Sequence, residues 1–350
     1  MRKLASIQKI LEVNEHPNAD RLELVKVLGW SCVSKKGTFK PGDLCVYFEI
    51  DSLIPIKEWS KFLEDKNKPE KPARLRTMRL RGELSQGLCL PLSILPEDYR
   101  KVLGDIALNY DSIESTDVTE VLGIEKYEPP IPTCLSGDAK GGRPGWMPKT
   151  DEDRIQAFPS LIEEFQGKLV VLSQKIDGTS CSISYKDGEE DVCGRNWSYK
   201  EGDNTYWEVA KKYDVLAKLK RISEETGINY GLQGEVAGPG IQKNRLKLPE
   251  HDIFVFNVRN LATDRYLGFY EYKEFCDRLQ LKMVPVIKIC KFEWKTVEEL
   301  LEEAKGTYES GRNQEGIVIR PIHEFYSEVL KGRASFKVIN NEFLEENEDA

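Results

Sequence analysis

Over residues 1–127 apolar and polar positions alternate in short runs such as LELVKVLGWSCV and DLCVYFEI, broken by turn signals at Lys36-Gly37 and Pro41-Gly42-Asp43. Runs of period two at this spacing predict several short strands in a small barrel or sandwich. Residues 128–150 read EPPIPTCLSGDAKGGRPGWMPKT, too dense in Pro and Gly for a regular helix or strand, which predicts a linker or long ordered loop. Beyond it the periods mix. KLVVLSQKI and SCSISYK flank Asp177-Gly178 and predict two strands with a hairpin-like connection. Residues 207–225 place Val209, Tyr213, Leu216, Leu219 and Ile222 on one helical face. Thr296-x-x-Glu299 has capping-box form ahead of VEELLEEAK, and YGLQGEVAG, DIFVFNV, EGIVIRP and SFKVIN are short and β-like. The expected fold class is α+β: a β-rich domain over 1–127, a joint at 128–150, a mixed domain of sheets and helices over 151–341, and an acidic tail over 342–350.

Composition changes this picture little. With 350 residues, 40% hydrophobic and 31% charged, the chain suits two globular domains. No run approaches the about 20 apolar residues of a membrane span, and MRKLASIQKI carries no signal-peptide core. The expectation is an intracellular protein, cytoplasmic or nuclear, with no membrane partner. Eight cysteines without a CxxC pair and three scattered histidines argue against zinc and for reduced, mostly buried thiols. The net charge of −8 weighs weakly against nucleic acid. It is concentrated in the second half and the tail, so local basic clusters count for more than the sum.

Candidate chemistry changes it a great deal. Lys175-Ile176-Asp177-Gly178 is a K-x-D-G match, which alone reads as an ordinary Asp-Gly turn. Gly194-Arg195-Asn196, Gly234-Glu235-Val236, Phe254-Val255-Phe256-Asn257, Glu315-Gly316-Ile317-Val318-Ile319-Arg320 and Ser335-Phe336-Lys337-Val338-Ile339 follow it in order. This series resembles the covalent nucleotidyltransferases, the superfamily of ATP-dependent ligases and mRNA capping enzymes. The resemblance implies an ATP-grasp-like ligase adenylation domain of antiparallel sheets and helices, with Lys175 as the residue that takes AMP.

That chemistry requires these residue types. A lysine attacks phosphorus only as the neutral amine, and an ordinary lysine is almost fully protonated near neutrality. A neighbouring positive charge would lower its pKa, and Lys337 and a bound Mg²⁺ (or Mn²⁺) are the candidates. The same charges would stabilise the α-phosphate as it gains negative charge. Asp177, Glu235 and Glu315 offer hard oxygens for the metal, directly or through its waters. Without the metal, carboxylates in such a cleft would raise the lysine pKa and oppose the reaction. The resemblance further implies that Phe256 stacks on adenine with Val318 on the other face, that Arg195 meets ribose or phosphate, that Gln174 lies at the adenine edge, and that Glu235 also belongs to the nucleotide site. Ile339 stands where relatives often carry a second lysine.

The region before the catalytic motifs bears on the substrate. Glu15-His16-Pro17-Asn18-Ala19-Asp20-Arg21-Leu22 resembles the opening of tRNA-binding OB modules, so the N-terminal domain is expected to be an OB-like barrel. Alternation through Arg74, Arg76, Arg79 and Arg81 predicts a basic strand face for RNA phosphates, against the plainer reading of an edge strand protected by charge. Capping enzymes and most DNA ligases place an OB domain after the catalytic one, whereas here it precedes it. Together with LGIEKYEPPIP and PKTDEDRIQ, this arrangement resembles the Naegleria-type RNA ligases, also called RNA ligase family 5. By that resemblance Lys149 and Arg154 help hold ATP or its pyrophosphate, the substrate is RNA with 3′-OH and 5′-phosphate ends, and the protein acts as a monomer. A DNA ligase is the rival within the same chemistry. A non-catalytic RNA-binding protein is the rival outside it, and the intact set Lys175, Glu235, Glu315 and Lys337 argues against that.

Overall fold

A computed structural model of the chain describes residues 3–65, 68–69, 71–110, 113–127 and 137–348. It divides into two units, Met1–Pro130 with Glu345–Ala350, and Ile131–Leu344.

In the first unit a five-stranded antiparallel sheet runs in the order Trp30–Lys35, Leu22–Val27, Ala5–Glu15, Leu44–Phe48, Leu88–Pro91. The long Ala5–Glu15 strand pairs with Leu44–Phe48 through its first half and with Leu22–Val27 through its second, with a register break at Ile10/Glu12. One strand serving two neighbours through a bulge is how a small sheet curls toward a barrel. Ile7, Val46, Phe48, Ile54, Leu95 and Leu122 fill the interior. A helix at Glu97–Tyr110 was not signalled by the alternation. The second hairpin, Thr77–Leu80 with Glu83–Gln86, turns at Arg81 and Gly82, both in the left-handed region that a two-residue turn needs.

The second unit holds two sheets. A seven-stranded sheet orders Ala139–Gly142, Trp197–Tyr199, Glu189–Cys193, Thr179–Lys186, Tyr230–Ala237, Asp252–Asn260 and Arg265–Tyr266. A five-stranded sheet orders Asp153–Arg154, Phe336–Ile339, Gly316–Pro321, Leu169–Lys175 and Val286–Lys291. Pairing is antiparallel except where Asp153–Arg154 runs parallel to Phe336 and Lys337. Period two explains the layering. Val170 and Leu172 go to a core with Phe165, Ile317, Ile319 and Phe336, so Val171, Ser173 and Lys175 face the other way. Ile253 and Val255 join the core behind the larger sheet, so Phe254 and Phe256 face away from it.

Four expectations are corrected here. The strands flanking Asp177-Gly178 do not form a hairpin: one belongs to each sheet, and the two residues carry the chain between them. Gly178 is required because a Cβ there would lie 2.3 Å from the Val236 carbonyl oxygen. The helix expected over 207–225 is two, Thr205–Lys212 and Val215–Thr226, broken at Asp214 with φ 48°. Within the Pro/Gly-rich joint, residues 128–136 lie outside the described residues, but Ala139–Gly142 is a strand paired with Trp197–Tyr199. Arg143 fixes the segment by donating to the carbonyls of Met147, Pro148 and Gly194 and to Ser182 Oγ. Likewise the acidic tail begins as a helix, Asn341–Glu348, with Phe343 buried under Arg245. The seven described cysteines are free thiols, and Cys134 lies outside the described residues. No helix of the described residues is long and apolar enough to cross a membrane.

Candidate active site

Lys175 ends its strand opposite Gly316, so its side chain projects beside Glu315. Lys175 Nζ lies 2.6 Å from Glu315 Oε2. Gly316 permits the approach: its φ is 147°, and a Cβ would sit 2.1 Å from the Val338 carbonyl oxygen. Glu235 reaches the same place from the other sheet, alternating with Gly234 and Val236, which are buried. Lys337 comes from the strand next to Val318, its register partner, and Arg154 is the next partner out.

The electrostatics are those of a site with too many carboxylates. Burial pulls the Lys175 pKa down, but Glu315 and Glu235 outweigh it and hold the ammonium above its ordinary value. Burial, then Glu315, push Asp177 up to about 6 against Arg245, whose Nε is 3.3 Å away. Burial pushes Glu235 up to about 8, with Lys175 opposing and Glu315 and Glu152 assisting. Lys337 moves down, through burial and the neighbouring Lys175 and Arg154, despite Asp151 at 3.0 Å. Lys337 therefore is the positive neighbour the chemistry asks for, but in this state it does not prevail over Glu315.

Among the described residues no three or more His, Cys, Asp or Glu side chains are gathered into a ready cage for a metal ion. The donor chemistry nonetheless fits Mg²⁺ or Mn²⁺. Three hard-oxygen residues lie around the lysine, two of them resisting ionisation because they are buried and stand near other carboxylates. Mg²⁺ in particular is usually held by one or two carboxylates together with substrate phosphates.

The remaining expected residues fall into two groups. Phe256 lines a cleft, partly open to solvent, with Ser173, Val171, Met283, Val286 and Arg320. Val318 is buried on the same sheet face as its partner Ser173. Arg195 is half-exposed and bonds Asp151 Oδ2 at 3.0 Å. Lys149 is exposed. Gln174 points away from the lysine, and its amide donates to Gln314 Oε1 at 2.7 Å and to the Thr307 carbonyl.

In the first unit the four arginines do not form one strand face. Arg74 is bound to Asp51 at 2.6 Å and stacks on Tyr127, so it is structural. Arg76 and Arg81 are exposed, and Arg79 is exposed while bonding Gly82 O and Glu345. The strand breaks at Leu75, which is buried, and resumes at Thr77. His16 is used structurally. Asn18 N donates to its Nδ1, which leaves Nε2 to donate to the Leu80 carbonyl at 2.9 Å. That bond fastens the hairpin carrying Arg79 and Arg81.

Several residues carried no usable signal in the sequence. Asp151 joins Lys337 to Arg195. Burial alone would raise the Glu152 carboxyl, but Arg320 and Lys337 hold it down to about 2. Glu152 accepts from Arg320, which also donates to the Phe256 carbonyl. Both acids stand in PKTDEDRIQ between Lys149 and Arg154. Arg245 and Tyr308 belong to no motif.

Residues 168–339 match the family described as RNA ligase, and residues 4–92 match an OB-fold domain. Solved structures of Naegleria gruberi RNA ligase are similar throughout. The structure with PPi is 36% identical with a TM-score of 0.85, covering 100% of both chains. A mutant with ATP and Mn is 36% identical at 0.84, covering 99% of this chain and 100% of that one. A mutant with AMP and Mn is 35% identical at 0.85, covering 100% of both.

Proposed function

The chain belongs to the RNA ligases of the Naegleria type and is an ATP-dependent enzyme, and from that premise we propose that it joins a 3′-OH RNA end to a 5′-phosphate end through AMP carried on Lys175. The observation that carries the reading is the convergence of Lys175, Glu235 and Lys337, each on its own strand, with Glu315, which immediately precedes a fourth.

The amine of Lys175, after losing a proton, attacks the α-phosphorus of ATP. The bond to the bridging oxygen breaks, and pyrophosphate leaves with its electron pair. Glu315 Oε2, 2.6 Å from Nζ, orients the amine and accepts a hydrogen bond from it. Lys337 sits where its charge disfavours the protonated form of Lys175 and favours the anionic phosphorane-like transition state. Asp177, Glu235 and Glu315 would hold a divalent metal, Mg²⁺ or Mn²⁺, which offsets their charge and neutralises the phosphate. Phe256 and Val318 supply apolar surfaces for the base, and Arg195, Arg154 and Lys149 supply cations for ribose and phosphates. An oxygen of the 5′-phosphate of an RNA strand then attacks the phosphorus of lysyl-AMP, the P–N bond breaks and the Lys175 amine leaves and takes up a proton. Finally a 3′-hydroxyl, giving up its proton, attacks the AMP-capped end, forming the phosphodiester and releasing AMP. Arg76, Arg79 and Arg81 would grip RNA phosphates in the first unit.

Incubation with α-labelled ATP and Mg²⁺ should label the protein covalently, and Lys175→Ala should abolish the label. A label that persists in Lys175→Ala refutes the nucleophile. Nicked and single-stranded substrates with ribose or deoxyribose at each terminus separate RNA from DNA sealing.

A further inference from the structure

One side chain outside the motifs ties the nucleophile to its carboxylate. Tyr308 is 3% exposed and belongs to a buried cluster with Ile176, Ala237 and Val284, against which Phe254 and Phe256 pack. Its hydroxyl donates to the Lys175 carbonyl at 2.7 Å and accepts from Asp177 N at 3.0 Å and Glu315 N at 3.1 Å. A phenol has one proton and two lone pairs. All three are used, and all three go to the backbone of residues in the candidate site.

The neighbouring segment acts in the same way more broadly. Ser310 donates to the Arg245 carbonyl, on the loop whose guanidinium faces Asp177. Lys247 of that loop donates back to the Ser310 carbonyl at 3.2 Å. Gln314 binds Gln174 and the Ala304 carbonyl. Asn340 N donates to Glu315 O, which sets that residue from its other side.

Lys175 ends one strand and Glu315 immediately precedes its neighbour, the ladder between them ending at Lys175 and Gly316. Past that point the ladder no longer fixes the spacing between Lys175-Ile176-Asp177 and Glu315. We propose that Tyr308 is a positioning residue for lysine adenylation: its single hydroxyl replaces the missing ladder and sets the distance and direction between Lys175 and Glu315. The Tyr308 hydroxyl acts through the backbone of Lys175, Asp177 and Glu315, not through their side chains. This rests on the reading of Lys175 as nucleophile and adds a residue to it.

The test is Tyr308→Phe, which keeps the buried ring and removes only the oxygen. Single-turnover adenylation at saturating ATP should fall about tenfold to a hundredfold, since small misplacements of reacting groups cost rates of that order. Apparent ATP affinity should stay within about threefold. Hydrogen exchange at the Asp177 and Glu315 amides should quicken in the variant, a readout that needs no turnover and so stands apart from the nucleophile assignment. A rate within about threefold of wild type, a loss confined to ATP affinity, or unchanged exchange at both amides overturns the proposal. If Tyr308→Phe does not fold, 3,5-difluorotyrosine at 308 serves instead. It strengthens donation to the Lys175 carbonyl and weakens acceptance from the two amides without deleting an atom. A changed adenylation rate at constant ATP affinity supports the proposal, and an unchanged one overturns it.

Discussion

Lys337 Nζ lies 3.0 Å from Asp151 Oδ1, and the other oxygen of that carboxylate is shared with Arg195. The cation assigned to the α-phosphate is thus held in place before any nucleotide arrives. Lys337→Ala should fold and still bind ATP, but single-turnover adenylation should fall about 10²–10³-fold, the usual cost of losing one charge-stabilising contact in a water-poor site. Lys337→Arg should rescue poorly, because a planar guanidinium cannot take the place of a compact ammonium. Adenylation by Lys337→Ala within about threefold of wild type over a pH series would make Lys337 a bystander.

The acid cluster predicts how stability varies with pH. Asp177 and Glu235 ionise less readily in the folded chain, at about 6 and about 8 against ordinary values of 3.8 and 4.5. The folded form therefore binds more protons over that range, and this contribution to stability, whole below the ordinary values, is lost as pH rises through 6 and then 8. Metal-free protein should melt at lower temperature as pH climbs through this window, and Glu235→Gln should flatten the upper part. Mg²⁺ should bind more tightly at higher pH and release protons, which calorimetry in buffers of different ionisation enthalpy would detect. Parallel melting profiles for wild type and Glu235→Gln would sink the idea. Glu152 acts oppositely: its support is present above its ordinary 4.5 and is lost as pH falls through about 2.

The arginines of the first unit should separate by role. Replacing Arg76, Arg79 and Arg81 together by alanine should weaken RNA binding and lower the slope of log affinity against log salt by about 2–3, since each phosphate contact contributes roughly 0.7–0.9. Arg74→Ala should instead lower the melting temperature through loss of Asp51 and Tyr127 and leave the salt slope unchanged. Equal slopes for the triple variant and wild type would remove the hairpin from the RNA path.

Gly178→Ala should be severe for a steric reason. Its new Cβ would press on the Val236 carbonyl at 2.3 Å and on the Glu235 side chain at 2.9 Å, so the strands Thr179–Lys186 and Tyr230–Ala237 must part at that end or Glu235 must move. The expected result is a lower melting temperature and no covalent AMP, measured on the same preparation. A stable variant with normal adenylation would show that the crossing has slack.

Much of this arrangement is legible in the sequence, and the failures share a cause. LVVLSQK is legible as a strand from its apolar run, and the packing of Val170 and Leu172 then shows which of its faces meets the core. Asp177-Gly178 was misread as a hairpin because a tight turn and a passage between sheets use the same residues; only the closeness of Val236 tells them apart. The helix break at Asp214 has neither Gly nor Pro to announce it. Arg74 looked like its neighbours because charge pattern cannot show that Asp51 waits opposite. Tyr308, Arg245 and Asp151 act through contacts far apart in sequence, for which a single chain offers no period or spacing.

The strand Phe336–Ile339 lies between Asp153–Arg154 and Gly316–Pro321, so an interior strand of the smaller sheet is made long after the Asp153–Arg154 edge it pairs with. A ribosome-bound chain that has already exposed Lys175, Asp177 and Glu235 still lacks both Glu315 and the ammonium of Lys337. The grouping of Lys175 with Glu315 and Lys337 therefore exists only once the last strand of the sheet has been made and has taken its place beside Gly316–Pro321.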